Sequence, residues 1–114
     1  MMSSRADKGA TGEDIAVRYL QNLGYHILHR NLRLARYEID VVCRDGATLV
    51  FVEVKLSFSG KFGHPATWID ERKREHLRQA AQMYIEKYGI AGTDIRFDAI
   101  TIFSGAIEHF KNAF

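Results

Sequence analysis

The chain has 114 residues, 46% hydrophobic and 26% charged, with net charge +2 and pI ≈ 8.8; this suits one domain with its own core, and charge alone points to no partner. The single cysteine, Cys43, excludes an intramolecular disulfide and reads as a small buried thiol. No apolar run approaches transmembrane length, and Met1-Met2-Ser3-Ser4-Arg5 lacks the apolar centre of a signal peptide, so a cytoplasmic protein without membrane contact is expected.

Residues 1–10 read as a flexible segment, which leaves 11–114 as a single domain. Thr11-Gly12-Glu13-Asp14 reads as a capping box, with Thr11 as N-cap and Asp14 at N3. Ile15, Ala16, Tyr19, Leu20 and Leu23 then form an apolar helical stripe that Gly24 stops. Glu13 borders that stripe in the first turn. It either complements the helix dipole or faces a cleft. A strand over 25–33 follows, and Arg30, Arg33 and Arg36 are either solvated edge residues or phosphate contacts.

The next two elements organise the chain. Glu38-Ile39-Asp40-Val41-Val42-Cys43-Arg44 runs into Asp45-Gly46, a type I′ hairpin signal. Thr48-Leu49-Val50-Phe51-Val52-Glu53-Val54-Lys55-Leu56 returns. With Asp45 and Gly46 as the loop, Arg44 faces Ala47, Asp40 faces Phe51 and Glu38 faces Glu53. Ile39, Val41 and Cys43 then join Val50, Val52 and Val54 on one apolar face, because side chains alternate along a strand. Asp40, Glu53 and Lys55 share the other face, with Asp40 and Glu53 as diagonal neighbours roughly 7 Å apart at Cβ. A divalent ion can bridge such a gap. Charges ending an otherwise buried strand need partners or a metal.

The loop 57–65 holds Gly, Pro, two aromatics and Lys61, and is either a substrate clamp or an ordinary connection. A helix over 70–87, ended by Gly89, buries Leu77, Ala80, Ala81, Tyr84, Ile85 and Tyr88. Lys73 lies on that same stripe in the first turn, which requires a polar pocket there. Arg72, Arg74 and Arg78 flank it, as a solvated face or a nucleic-acid footprint. A strand over 94–103 and a short one over 106–110 complete an α-β-β-β-α-β order with an extra edge strand. The five histidines have no metal-ligand spacing.

Two acids on adjacent strands, a Lys two residues after the second and a Glu on the first helix form a set that suits phosphodiester hydrolysis. Carboxylates hold Mg²⁺, which prefers oxygen ligands and polarises a phosphoryl oxygen. Lys55 adds fixed positive charge.

Gly12-Glu13, Tyr25, Asn31, Glu38-Ile39-Asp40, Phe51-Val52-Glu53-Val54-Lys55, Lys73 and Arg96-Phe97-Asp98 resemble the YraN family of small bacterial proteins. That family is similar to archaeal Holliday junction resolvases in the PD-(D/E)xK restriction-endonuclease-like superfamily. The resemblance spans nearly the whole chain. It implies an α/β, restriction-endonuclease-like αβββαβ core, with a mixed sheet flanked by helices. It also implies a Mg²⁺-dependent nuclease site (Mn²⁺ as substitute) and a DNA substrate, including branched DNA. Asp40 and Glu53 would be metal ligands, Lys55 the catalytic lysine, Glu13 an accessory acid and Lys73 a basic residue at the pocket. Lys61, Arg72, Arg74 and Arg78 would meet nucleic acid. Resolvase relatives act as symmetric dimers, so a homodimer is carried as an expectation that no stretch of the sequence writes out. Tyr37 stands where the family usually has Gly, which puts the entry to the second strand in question. Three readings follow: a metal-dependent endonuclease, a nucleic-acid-binding module that keeps the fold without cleavage, and a protein-binding domain with a strand-end ion pair.

Overall fold

The computed structural model describes residues 5–58, 60 and 63–114, with side chains from Gly12 onward. Lys61 lies outside the described residues. A single sheet holds β1 (His26–Leu34), β2 (Tyr37–Asp45), β3 (Thr48–Ser57), β4 (Ile95–Phe103) and β5 (Ala106–Phe110) side by side in chain order. Neighbours are antiparallel except β3 and β4, which are parallel. A parallel pair needs a crossover, and α2 (Glu71–Tyr88) supplies it. With α1 (Arg5–Asn22) before β1, the αβββαβ order, the mixed sheet and the edge strand β5 match the expectation.

The helices cover opposite faces. Ala16, Val17 and Leu20 of α1 pack with Val41, Cys43, Val50, Val52, Ile100 and Ile102. Ala80, Ala81 and Tyr84 of α2 pack with Val42, Leu49 and Phe51. The central strand β3 is therefore buried on both sides, which explains its unbroken run of Leu, Val and Phe. Burial pushes the Cys43 thiol up to about 12, as suits an inert core residue.

Several expectations are corrected. The first helix begins at Arg5, not at a Thr11 cap, since Arg5 to Ala10 are mostly good helix formers. Leu23 is exposed, beyond the reach of the core. The hairpin loop is Gly46-Ala47, and Asp45 pairs with Thr48. Asp45 stays in the strand because Arg96 Nη1 donates to its carboxylate at 2.9 Å. Gly46 takes φ 61 at the first loop position and Ala47 has no positive φ, the pattern of a type II′ turn. The register moves by two residues, an even number, so Val41, Cys43, Val50 and Val52 keep their common face. Ile39 does not join them. It packs on the α2 side with Val42, so the alternation breaks at Asp40. Tyr37 opens β2 with ordinary backbone; the left-handed residue of the preceding turn is Ala35, at φ 55. At the second helix, Asp70 Oδ1 accepts from the Lys73 backbone N–H at 2.9 Å, and Gly89 ends the helix at φ 65. Among the described residues no helix is long and apolar enough to cross a membrane.

Candidate functional site

The break at Asp40 makes a fork. The β2–β3 ladder ends at Val41 and Val52, while β3 continues beside β4 with Glu53 opposite Ala99 and Lys55 opposite Thr101. Past the last rung, the Val54 N–H needs another acceptor. It donates to Asp40 Oδ2 at 2.8 Å. The carboxylate thus closes the ladder from the departing strand, and this bond fixes where it points. In this register Asp40 and Glu53 would be direct partners, not diagonal ones, had the strands stayed together.

Glu53 turns to the α2 face. Its Oε2 lies 3.3 Å from Lys73 Nζ, with the Glu53 side chain 13% exposed and that of Lys73 44%. The Asp70 cap sets the first turn of α2 over this spot. The lysine on the core-facing stripe is explained by that pocket, as the sequence required. Glu53, Lys55, Trp68, Ile69, Asp70 and Lys73 line a cleft of ≈ 240 Å³.

The acids of this fork are poorly compensated. Burial raises the Asp40 pKa, against the Val54 N–H and Lys73, and Glu38 raises it further. Burial also raises that of Glu53, Asp40 adds to the rise, and Lys73 and Lys55 oppose it. Glu13 is raised by burial and by Asp40, with Arg30 acting the other way. Charges from α1 and from α2, on opposite faces, thus both reach Asp40 where the sheet opens. Among the described residues, no three His, Cys, Asp or Glu side chains gather closely enough to hold an ion alone. Mg²⁺ asks less, since it is bound by one or two carboxylates with waters and phosphate oxygens. Two partly buried, mutually repelling carboxylates fit that role.

The expected basic residues separate. Arg78 pairs with Glu71 at 3.3 Å and Glu75 at 3.2 Å, and Arg74 lies 4.0 Å from Glu71. Arg72 has no carboxylate within ion-pair distance among the described residues. Arg36 lies over the Tyr37 ring, 5.2 Å from its centroid.

Sequence reasoning missed a second charged cluster. Asp98, fully buried, receives Arg96 Nε at 2.8 Å, Arg96 Nη2 at 3.0 Å and the Asn112 N–H at 3.0 Å. His109 Nε2 lies 2.8 Å from the same carboxylate, and His109 Nδ1 3.1 Å from the Tyr19 hydroxyl. Arg96 Nη2 also donates to the Tyr25 hydroxyl at 3.0 Å. The signal was present: Arg96 and Asp98 stand two apart, on one face of an otherwise apolar strand.

A family model described as "Uncharacterised protein family UPF0102" matches residues 12–102. A UPF0102 protein of Persephonella marina is 46% identical over 107 residues, covering 94% of this chain and 92% of the relative. One from Geobacter metallireducens is 44% identical over 110 residues, covering 93% and 90%. Another from Caldicellulosiruptor saccharolyticus is 36% identical over 117 residues, covering 97% and 99%.

Proposed function

The chain belongs to the UPF0102 family, the YraN family of the sequence resemblance, and from that premise we propose that it is a metal-dependent endonuclease hydrolysing DNA phosphodiester bonds. The family description names no activity, so the reading rests on the site. One observation carries it: Asp40 and Glu53, both partly buried and both raised in pKa, meet at the fork with Lys55 two residues on. A structural ion pair needs one acid, not two. The likeness to the PD-(D/E)xK nucleases supports the same assignment.

Asp40 and Glu53 are the residues to hold Mg²⁺ or Mn²⁺, and a bound ion would polarise a phosphoryl oxygen. The Val54 N–H keeps Asp40 oriented. Lys73 favours the ionised form of Glu53, against the rise caused by burial and Asp40. Lys55, lining the cleft, presents positive charge where the transition state gathers negative charge. Glu13 serves as an accessory acid at the α1 side of the fork. Lys61, Arg72, Arg74 and Arg78 bind the DNA backbone, with Arg74 and Arg78 sharing their charge with Glu71 and Glu75. Cutting two strands, as in branched DNA, calls for two active sites, so the proposal includes a homodimer. It also carries a cytoplasmic location.

The second reading is a nucleic-acid-binding module. It is favoured by the Lys73–Glu53 pair, which already answers one of the two acids. Labelled duplex, single-stranded and four-way-junction DNA incubated with Mg²⁺ or Mn²⁺ separates the two. Cleavage that Glu53→Ala abolishes supports the nuclease. Binding without Glu53-dependent cleavage supports the module.

A further inference from the structure

Beside the fork lies a second cleft, ≈ 500 Å³, between the start of β2 and the outer edge of α2. Its walls include Arg36, Tyr37, Arg72 and His76. The Tyr37 and His76 rings meet edge to face, centroids 5.3 Å apart at 83°. Arg36 Nη2 donates to the Tyr37 hydroxyl at 3.3 Å. Flat rings with an arginine plane beside them are the groups on which unpaired bases stack.

The charges of this cleft are unevenly committed. Glu71 and Glu75 line it too, but Glu71 is engaged by Arg74 and Arg78, and Glu75 by Arg78 and Gln79. Arg72 and Arg36 have no carboxylate within ion-pair distance among the described residues. Two guanidinium groups that pair with no carboxylate among the described residues, one of them held at the Tyr37 ring, suit a phosphate and a base of one nucleotide. Arg72 directly precedes Lys73 of the fork. Tyr37 precedes Asp40 by three strand residues, about 10 Å.

We propose that this cleft is a nucleotide subsite, taking one unpaired nucleotide of a nucleic-acid strand with its base at Tyr37 and His76 and its phosphate at Arg72 and Arg36. The inference rests on the nucleic-acid reading above and names the substrate feature selected: a base already out of the stack beside the reacting phosphate. A base inside a duplex shows no face to a side-chain platform.

The probe is a six-residue oligothymidylate titrated into the whole protein in EDTA, followed by NMR and by fluorescence anisotropy. The ring signals of Tyr37 and His76 shift on binding. Arg72→Gln and Tyr37→Leu each weaken binding, the ring variant by about tenfold or more, and the ring variant leaves affinity for a blunt duplex within about twofold. Tyr37 also contacts the core, so His76→Ala, at the exposed second ring, carries the same comparison if Tyr37→Leu melts early. Unchanged oligothymidylate affinity in Arg72→Gln overturns the subsite, as does an equal loss on duplex and single strand in the ring variant, which marks a general effect on nucleic-acid binding. The nuclease reading is scored separately, by Glu53-dependent cleavage. Cleavage without a Tyr37 or Arg72 effect keeps the nuclease and removes the subsite. Ring shifts without cleavage do the reverse.

Discussion

Asp40 and Asp98 stand on strands of one sheet, both withdrawn from water, and the protein treats them in opposite ways. Burial disfavours the charge on Asp98, but His109, Arg96 and the Asn112 N–H together hold its carboxyl below the ordinary range. His109 bridges that carboxylate, 2.8 Å from Nε2, and the Tyr19 hydroxyl, 3.1 Å from Nδ1. Burial raises the Asp40 pKa, one N–H and two lysines oppose it, Glu38 adds to the rise, and Asp40 in turn raises Glu53 and Glu13. A satisfied buried charge organises structure. An under-compensated pair of acids stores repulsion that a cation relieves. The contrast separates a cluster whose charges are answered within the fold from one whose acids are not.

The largest expected effect is at the satisfied cluster. Asp98→Ala leaves Arg96 without its main partner and should lower unfolding free energy by about 3–5 kcal/mol, measured by urea denaturation. A loss no larger than that of a surface substitution would erase the contrast. At the fork, Lys55→Ala should instead spare stability and slow cleavage by about 10²–10³, with DNA affinity within about tenfold. Single-turnover rates and anisotropy measure the two separately; cleavage at the parent rate would make Lys55 structural.

Mg²⁺ sharpens the comparison next. At a hundred times its Kd it should stabilise the parent by about 2.7 kcal/mol and Asp40→Asn much less, read as thermal melting in EDTA and in Mg²⁺. Asp40→Asn itself should raise the melting temperature of the metal-free protein by a few degrees, if about 1 kcal/mol of repulsion is relieved. The amide oxygen still accepts from the Val54 N–H, so the fork survives the change. A lower melting temperature would show that the charge, and not the hydrogen bond, holds β2 to β3.

The smallest effect is the pH dependence, where the two clusters have opposite signs. Asp40 and Glu53 have pKa values raised above their ordinary 3.8 and 4.5. The folded chain therefore keeps protons that the unfolded chain releases, and this contribution is lost as pH rises through the folded values. Glu38, Lys55 and Lys73 are the charged groups acting on them, with Glu13 beside Asp40. Asp98 is lowered from 3.8. Its contribution is fully present above that value and is lost as pH falls through the folded one. In EDTA, the advantage of Asp40→Asn over the parent should widen as pH rises above about 4, while the deficit of Asp98→Ala should narrow only below about pH 4. Parallel melting curves across that range would break the comparison.

Much of this was legible in the residues. The two ends of α2 follow from Asp70 and Gly89, the buried centre of β3 from its β-branched and aromatic run, and the shared face of Glu53 and Lys55 from a period of two. Lys73 on an apolar stripe announced a polar pocket before its partner was known. Each of these depends on neighbours a few positions away, so a local pattern determines it. The fork does not. Asp40 bonds an amide 14 residues on, Lys73 meets Glu53 from the first turn of the crossover helix, and Asp45 is kept in its strand by Arg96, 51 residues later. The Asp98 cluster joins residues from Tyr19 to Asn112. Only the folded sheet brings these groups together. Whether a carboxylate is neutralised or left in want of a cation depends on which distant donors arrive and how dry the place is, and neither quantity is carried by spacing along the chain.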